Sequence, residues 1–173
     1  ASANQMSGVA YAHQTLGLLG TGIRIAVIDT GVDYHHPDLG GCFGPNCKVE
    51  FGYDFVGDNF NPRNGTRPQP DNDPDDPKGH GTHVAGIVGA NGVIKGVAPE
   101  ATLGAYKIFG VEGPTRSDIT VAALERAFQD NAQVVNASLG SAFGWPTGPH
   151  AEAIDNLTAA GAMVVASAGN EDE

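Results

Sequence analysis

Apolar residues along this chain form two kinds of pattern. Short, nearly continuous runs rich in β-branched residues are typical of buried parallel strands. Runs with apolar residues three or four positions apart indicate amphipathic helices. We predict strands over 23–28, 49–56, 102–108, 133–139 and 162–168, and helices over 7–19, 80–91 and 151–160, with one more from Ser117 or Asp118 through Phe128.

Strands that alternate with helices predict an α/β fold, a parallel sheet flanked by helices on both faces with right-handed crossovers. At 173 residues the chain is expected to form one domain. In open α/β sheets functional groups gather where the strands end, and Asp29, Leu139, Gly140 and Asn170 all follow or end predicted strands.

The charge balance is acidic, with 20 Asp and Glu against 9 Lys and Arg, and no basic run occurs. This argues against a nucleic-acid-binding protein, which needs cations to contact phosphates. No segment approaches the roughly 20 apolar residues of a membrane span, so no membrane partner is expected. Acidic residues cluster from Asp71 to Asp76, within residues 57–78, a Pro-, Asn- and Asp-rich stretch that is interpreted as a functional, ion-binding or simply solvated loop.

Cys42 and Cys47 flank a turn-forming Gly-Pro-Asn and are predicted to form a disulfide, which implies an oxidising compartment; two free thiols are the alternative. Asn64 and Asn156 begin glycosylation sequons and are candidate glycan sites. A third sequon at Asn136 lies in an apolar strand, where no glycan is expected.

The stretch Lys78-Gly-His80-Gly-Thr-His83-Val-Ala-Gly86 carries the strongest chemical signal. Asp29 ends an apolar strand, where a buried carboxylate needs a partner. Asp29 is either a structural residue that binds nearby amides or the group that orients an imidazole. We predict that it orients His80, a general acid and base at the first turn of a helix.

Three other readings fit less well. A zinc site of Asp29, His80 and His83 lacks the usual i, i+4 histidine pair with its glutamate, and His83 is expected in the core. An aspartic protease needs a second triplet like Asp29-Thr-Gly31, and the chain has none. A nucleotide-binding fold needs its glycine loop after a strand, whereas Gly20-Thr-Gly22 precedes one.

Two further segments are candidates for binding the substrate. Asn170 is either a turn residue or a donor to a developing oxyanion. Ser138, Leu139 and Gly140 end a strand and form either a turn or an edge on which an extended peptide adds a strand. Gly113 is the candidate for the facing edge.

Together these residues resemble the subtilisin-like serine proteases. The resemblance rests on four ordered motifs: Ile25-Ala-Val-Ile-Asp29-Thr-Gly, His80-Gly-Thr-His-Val-Ala-Gly86, Val135-Asn-Ala-Ser-Leu-Gly140 and Ala166-Ser-Ala-Gly-Asn170. It implies that Asp29 holds the imidazole, His80 transfers the proton, Asn170 donates to the oxyanion and residues 138–140 bind substrate backbone. Residues 40–48 and the acidic loop further resemble secreted fungal subtilases akin to the minor extracellular proteases, which often carry an inserted protease-associated domain.

The nucleophile of the family is missing from these 173 residues, because no Gly-Thr-Ser-Met-Ala-like motif occurs and Ser117, Ser141 and Ser167 lack its context. We therefore interpret residues 1–173 as the N-terminal portion of a single subtilisin-like peptidase domain, truncated after the strand that leads to Asn170. The serine would lie on a missing or separate downstream segment. The alternative is a serine-less fragment or pseudoenzyme that binds a peptide or partner without catalysis.

The resemblance also implies a secreted zymogen with an N-terminal propeptide, acting on protein or peptide substrates without a cofactor in the chemistry. Structural calcium is a further expectation, since Asp38 matches a family ligand position, although residues 89–95 look too short to complete that site. The other oxygen ligands of the kind calcium prefers are in or near the acidic loop: Asp54, Asp58, Asp71, Asp73 and Asp75.

Overall fold

The structure is a computed structural model that describes residues 3–140 and 148–170. The helices are α1 (Ala3–Met6), α2 (Val9–Gln14), α3 (His80–Gly89), α4 (Ser117–Gln129) and α5 (Pro149–Ala159). The strands are β1 (Arg24–Asp29), β2 (Val49–Asp54), β3 (Thr102–Lys107), β4 (Val134–Ala137) and β5 (Met163–Ala166). Most predicted elements are therefore present, with ends that differ by a few residues.

All five strands form one parallel sheet in the order β2-β3-β1-β4-β5. The first strand of the chain thus lies in the middle, between β3 and β4. Since every strand runs in the same direction, the residues that follow β1, β4 and β5 lie at the same end of the sheet, where the strands finish. The predicted parallel α/β fold is confirmed.

The two faces of β1 show how the sheet is covered. Ala26 and Ile28 pack in a cluster with residues of α4 and α5, whereas Ile25 and Val27 pack in a second cluster that includes Ala85 of α3. This division follows from the strand geometry, in which successive side chains point to opposite faces. Helices thus cover both faces, as the nearly continuous apolar run of β1 requires.

The predicted helix over 7–19 is wrong. Gly8 has φ 80° and separates α1 from α2, and α2 ends at Gln14. Gly17 and Gly20 also adopt positive φ angles, which a continuing right-handed helix excludes. The apolar spacing misled the prediction, since Leu16 is 54% exposed.

From the sequence, Ser117 or Asp118 is also the expected N-cap residue of α4, and this prediction is wrong. Arg116 occupies the N-cap position and no side chain caps the helix there. Its guanidinium instead donates two hydrogen bonds to Asp118, at 2.6 and 3.0 Å, and Asp118 places a negative charge in the first helical turn. Over residues 3–140 and 148–170, no helix has the length and apolar character needed to cross a membrane.

The structure contains the predicted disulfide between Cys42 and Cys47, whose Cα atoms are 5.6 Å apart. Phe43, between them, stacks on Tyr34 with ring centroids 5.2 Å apart, so the small loop packs against the segment that follows β1. Asn64 and Asn156 are both exposed, as a glycan would require, and their glycosylation stays a prediction.

Candidate active site

The predicted acid–base pair is assembled at the end of β1. Asp29 is the last residue of the strand and is fully buried, while His80 is the first residue of α3. Nδ1 of His80 lies 2.7 Å from Oδ1 of Asp29, which also accepts a hydrogen bond from the backbone N–H of Thr30 at 2.7 Å. The imidazole side chain is 55% exposed, so a buried carboxylate orients a ring that other groups can still reach.

Glycines allow the two elements to approach this closely. A Cβ at Gly81 would lie 2.1 Å from the carbonyl oxygen of Gly31 and 3.0 Å from Cβ of Asp29. Gly79 precedes the helix with φ 93°, a conformation that favours glycine. The glycines on either side of His80 therefore have separate functions, one in the turn and one in the packing.

Asp76 was not among the residues predicted for the site; the sequence placed it only in the acidic loop of residues 57–78. Asp76 is only 8% exposed and accepts hydrogen bonds from both the N–H and the hydroxyl of Thr82. Burial alone would raise the pKa of Asp76, but hydrogen bonds from Thr82, Gly79 and Thr30 outweigh burial and hold the pKa below its usual range. Its position four residues before His80 is the feature of the sequence that could have identified Asp76 as part of the site.

Lys107 was also missed. It ends β3 beside Asp29 in the sheet and is 1% exposed. Its Nζ contacts Oδ1 of Asp58, donates to the backbone oxygen of Asp75 at 3.1 Å and lies 3.9 Å from Oδ2 of Asp54. Burial raises the pKa of Asp54, while the N–H groups of Gly57 and Val56 and the Lys107 cation oppose that rise. A buried cation thus ties the acidic loop to the sheet.

Asp38 holds the turn that follows α3. Its two carboxylate oxygens accept hydrogen bonds from Val93 and Ile94 at 2.9 and 3.0 Å. These bonds, Ile94 first and then Val93, hold the pKa of Asp38 below its usual range. The loop after α3 thus supplies one backbone N–H to each oxygen of this carboxylate.

The remaining acidic candidates for calcium also have protein partners. Asp71 accepts from the N–H of Asp73, Asp73 from the hydroxyl of Tyr34, and Asp75 from the N–H of Asp76. Within the described part of the chain, no group of three or more His, Cys, Asp or Glu residues is arranged to hold a metal ion. Calcium bound partly by backbone oxygens stays a prediction.

His83 corrects one expectation. It was predicted to lie in the core, but it is exposed on α3. His80 and His83 are three positions apart, so their side chains leave α3 only about 60° apart around the helix axis. Among the described residues no group of three or more His, Cys, Asp or Glu could hold a metal ion, so the zinc alternative gains no support there.

The predicted substrate edge follows β4. The hydroxyl of Ser138 accepts a hydrogen bond from the amide of Asn136 at 2.9 Å, and the carbonyl of Leu139 accepts one from the hydroxyl of Ser167 at 2.5 Å. Leu139 and Gly140 line a cavity of about 350 Å³. Hydrogen bonds thus hold Ser138 and Leu139 in place, while Leu139 and Gly140 border the cavity.

The facing wall of this cavity includes Pro114 and Thr115. Gly113, the predicted residue of that wall, lies one position before them and has φ 87°. A Cβ at Gly113 would lie 2.5 Å from Oδ1 of Asn61, so this glycine is packed against the acidic loop. Gly113 itself is thus not among the residues that line the cavity, and its role as the facing edge stays a prediction.

Asn170 lies beyond the end of β5, next to this edge. It follows Gly169, which has φ 97°. A Cβ at Gly140 would lie 3.5 Å from the Cα of Gly169, so the turn before Asn170 is in contact with the substrate edge. Because β1, β4 and β5 are parallel neighbours, Asp29, residues 138–140 and Asn170 all lie at the carboxyl ends of the strands.

A histidine held by a buried carboxylate is able to take and return a proton, and nucleophilic catalysis requires a nucleophile in addition. Ser117 begins α4, and Ser167 donates its hydroxyl to Leu139. Ser141 lies outside the described residues. The positions of Ser117 and Ser167 thus give no support for either residue as the nucleophile.

Comparison with known proteins gives a consistent result. The subtilase family (peptidase S8) matches residues 20–173. The minor extracellular protease Vpr of Bacillus subtilis is 45% identical over 155 residues, which cover 90% of this chain and 18% of that protein. Subtilisin E of the same organism is 35% identical over 94% of this chain and 38% of its own length.

Among solved structures, the nisin leader peptidase NisP from Lactococcus lactis matches with a TM-score of 0.74 and 32% identity, over 95% of this chain and 47% of that one. The chain therefore spans less than half the length of each of these relatives. The predicted likeness to minor extracellular proteases is confirmed, and a fungal source stays a prediction, since these relatives are bacterial. The chain belongs to the subtilase family.

Proposed function

We propose that this chain supplies the aspartate and histidine of a serine endopeptidase that hydrolyses peptide bonds through an acyl-enzyme. The contact of 2.7 Å between His80 and the fully buried Asp29 carries this proposal. In that reaction the imidazole takes the proton of a serine hydroxyl, the serine oxygen attacks the peptide carbonyl, and the imidazole returns the proton to the leaving amine. Asp29 keeps the imidazole oriented and stabilises its positive charge.

The substrate would bind as an extended strand along Ser138, Leu139 and Gly140, opposite the loop at Pro114. Asn170 would donate a hydrogen bond to the developing oxyanion. Support for this arrangement comes from the cavity beside the edge and from the contact between Gly140 and Gly169. Both observations support a binding site formed by residues 138–140 and the turn before Asn170.

The serine would come from polypeptide outside these 173 residues, either in the same chain or in a separate one, as the greater length of the relatives supports. We further propose secretion, maturation from a zymogen by removal of an N-terminal propeptide, and glycosylation at Asn64 or Asn156. The disulfide and the word "extracellular" in the name of one relative support the secreted location.

Fluorophosphonate labelling of the protein isolated from its source tests the activity. Mass spectrometry of the denatured sample would show whether an adduct forms and on which polypeptide. We expect an adduct on a serine outside residues 1–173, and we expect His80→Ala to abolish it, since the hydroxyl then has no base. Asp29→Asn should lower the labelling rate by about 10⁴-fold, the usual effect of losing the carboxylate of such a triad.

A second candidate function is peptide or partner binding without catalysis, favoured by the absence of a Gly-Thr-Ser-Met-Ala-like motif from these residues. A protein that binds extended peptides but forms no adduct would support this candidate and contradict the first.

A further inference from the structure

The carboxylate of Asp76 lies at the end of the acidic loop, four residues before His80. It is a buried charge at a place where the chain turns into α3. Burying a carboxylate is unfavourable unless hydrogen bonds compensate. The identity of its partners therefore indicates what the residue does.

The partners of Asp76 lie on both sides of His80. Oδ1 accepts a hydrogen bond from the N–H of Lys78 at 3.0 Å, and Oδ2 accepts from the N–H and the hydroxyl of Thr82 at 2.9 and 2.6 Å. The N–H of Gly79 also donates to this carboxylate. One side chain thus fixes the backbone just before and just after the histidine.

Asp76 is also connected to the strand that carries Asp29. The hydroxyl of Thr30 helps to hold the pKa of Asp76 down and accepts a hydrogen bond from the N–H of Gly81 at 2.9 Å. The hydroxyl of Thr82, which donates to Asp76, accepts one from the N–H of Asp33 at 2.8 Å. The N–H of Thr30 in turn donates to Oδ1 of Asp29. The network therefore joins the end of β1 to the first turn of α3, the two elements whose separation sets the contact between Asp29 and His80.

The hydrogen bonds to Asp76 favour an anion. Its carboxylate accepts from the N–H groups of Lys78 and Thr82 and from the hydroxyl of Thr82, and the N–H of Gly79 and the hydroxyl of Thr30 help to hold its pKa down. An ionised carboxylate only accepts, whereas an asparagine at this position would direct its own N–H₂ donors at one or more of these donors. The negative charge also lies beside the N-terminus of α3, where the helix dipole favours it.

We propose that Asp76 is the positioning residue of the candidate active site, which holds His80 in contact with Asp29 by fixing the backbone on both sides of the histidine. This inference rests on the proposed function for its significance, but the geometry it concerns belongs to this chain alone. It is therefore testable without a serine nucleophile.

The experiment compares Asp76→Asn with Asp71→Asn in the 173-residue chain. Asp71 belongs to the same loop and is exposed, and the single hydrogen bond that its side chain accepts from Asp73 would remain in an asparagine. The readout is the low-field proton resonance of the hydrogen bond between Nδ1 of His80 and Asp29, with its exchange rate against solvent. Circular dichroism reports whether each variant is folded.

We expect Asp76→Asn to be folded and to exchange this proton at least about tenfold faster than the unsubstituted protein, the loss of roughly one hydrogen bond. Asp71→Asn should match the unsubstituted protein. A folded Asp76→Asn variant with unchanged resonance and exchange would overturn the proposal. So would the absence of the resonance from the unsubstituted protein, since there would be no contact to position.

Thr82→Val provides a second, milder variant in case Asp76→Asn does not fold. It keeps the carboxylate and removes one of its donors, so exchange should still be faster than in the unsubstituted protein; unchanged exchange would contradict the proposal. In the serine-bearing protein, Asp76→Asn should lower kcat about 100-fold with KM unchanged, because a displaced base slows the chemistry. Failed fluorophosphonate labelling alongside the expected exchange result would reject the proposed activity while leaving the role of Asp76 intact.

Discussion

The two sides of the candidate active site differ in how they are held. On the acid–base side, β1 is central and buried from Ile25 to Asp29, and the first turn of α3 is fixed to its end by hydrogen bonds. On the candidate substrate side, β5 is one of the two edge strands of the described sheet, and three of its four residues are exposed. Met163 is 61% exposed and Val165 48%.

This difference indicates how firmly the described residues hold each part of the site. The position of His80 depends on contacts among residues 29–82, all of which are present. The substrate edge depends on β4 and β5, and β5 has few buried side chains to fix it. Substitutions on the acid–base side should therefore reduce stability strongly, while matched substitutions near β5 should not.

Removal of the buried lysine should have the largest effect. Lys107→Met leaves the buried Asp54 without its cation, and loss of one partner of a buried pair typically costs about 3 to 5 kcal/mol in free energy of unfolding. Urea denaturation would measure this loss. Lys95→Met is the control, because Lys95 is exposed and bonds only to Asn91; a change beyond about 0.5 kcal/mol there would undermine the comparison.

Two glycines of α3 provide the next test. Gly81→Ala places a Cβ 2.1 Å from the backbone oxygen of Gly31 and should destabilise by about 3 kcal/mol, since the backbone must move. Gly86→Ala meets nothing within 4 Å and should stabilise the helix by about 0.5 to 1 kcal/mol. Thermal unfolding of the two variants should shift in opposite directions, and equal shifts would show that close packing is not the cause.

Matched valines test the contrast between strands directly. Val27 in β1 is fully buried, so Val27→Ala should cost about 2 kcal/mol through lost burial and the resulting cavity. Val165→Ala in β5 should change the free energy of unfolding by no more than about 0.5 kcal/mol. Similar losses in both variants would mean that β5 is covered in solution.

The smallest expected effect concerns acid. The folded-state pKa of Asp38 lies below its unfolded value of about 3.9. Its carboxylate therefore contributes stability above the unfolded pKa, and this contribution is lost as pH falls through the lower folded pKa. The difference in melting temperature between the unsubstituted protein and Asp38→Asn should be constant near neutral pH and shrink in that acidic range. A difference that persists after full protonation would contradict this account.

The alternation of strand and helix patterns predicted the parallel sheet, and the nearly continuous apolar run of β1 predicted a strand that is buried on both faces. The sequence also predicted the pairing of Asp29 with His80, since a carboxylate that ends such a run requires a partner. It did not predict the N-terminal segment, where positive φ angles at Gly8 and Gly17 outweigh the apolar spacing. Local periodicity carries no information about a glycine that leaves the helical region.

The burial of the aspartates in and beside the acidic loop is a second feature that the sequence did not predict. Asp54, Asp76 and Asp71 look alike in the sequence, yet the first two are buried and the third is exposed. Their partners are Lys107, far along the chain, and the amides at the start of α3. Burial of a charge depends on such tertiary partners, which neither composition nor periodicity reveals.

The central place of β1 also affects how the chain folds. Its neighbours β3 and β4 come late in the sequence, with Arg24 beside Thr102 and Ile25 beside Val134. Two long loops must therefore close before this strand has partners on both sides, and such non-local pairing slows folding. Until then the apolar run of β1 is available to other molecules, so refolding of this chain should compete with aggregation and improve on dilution.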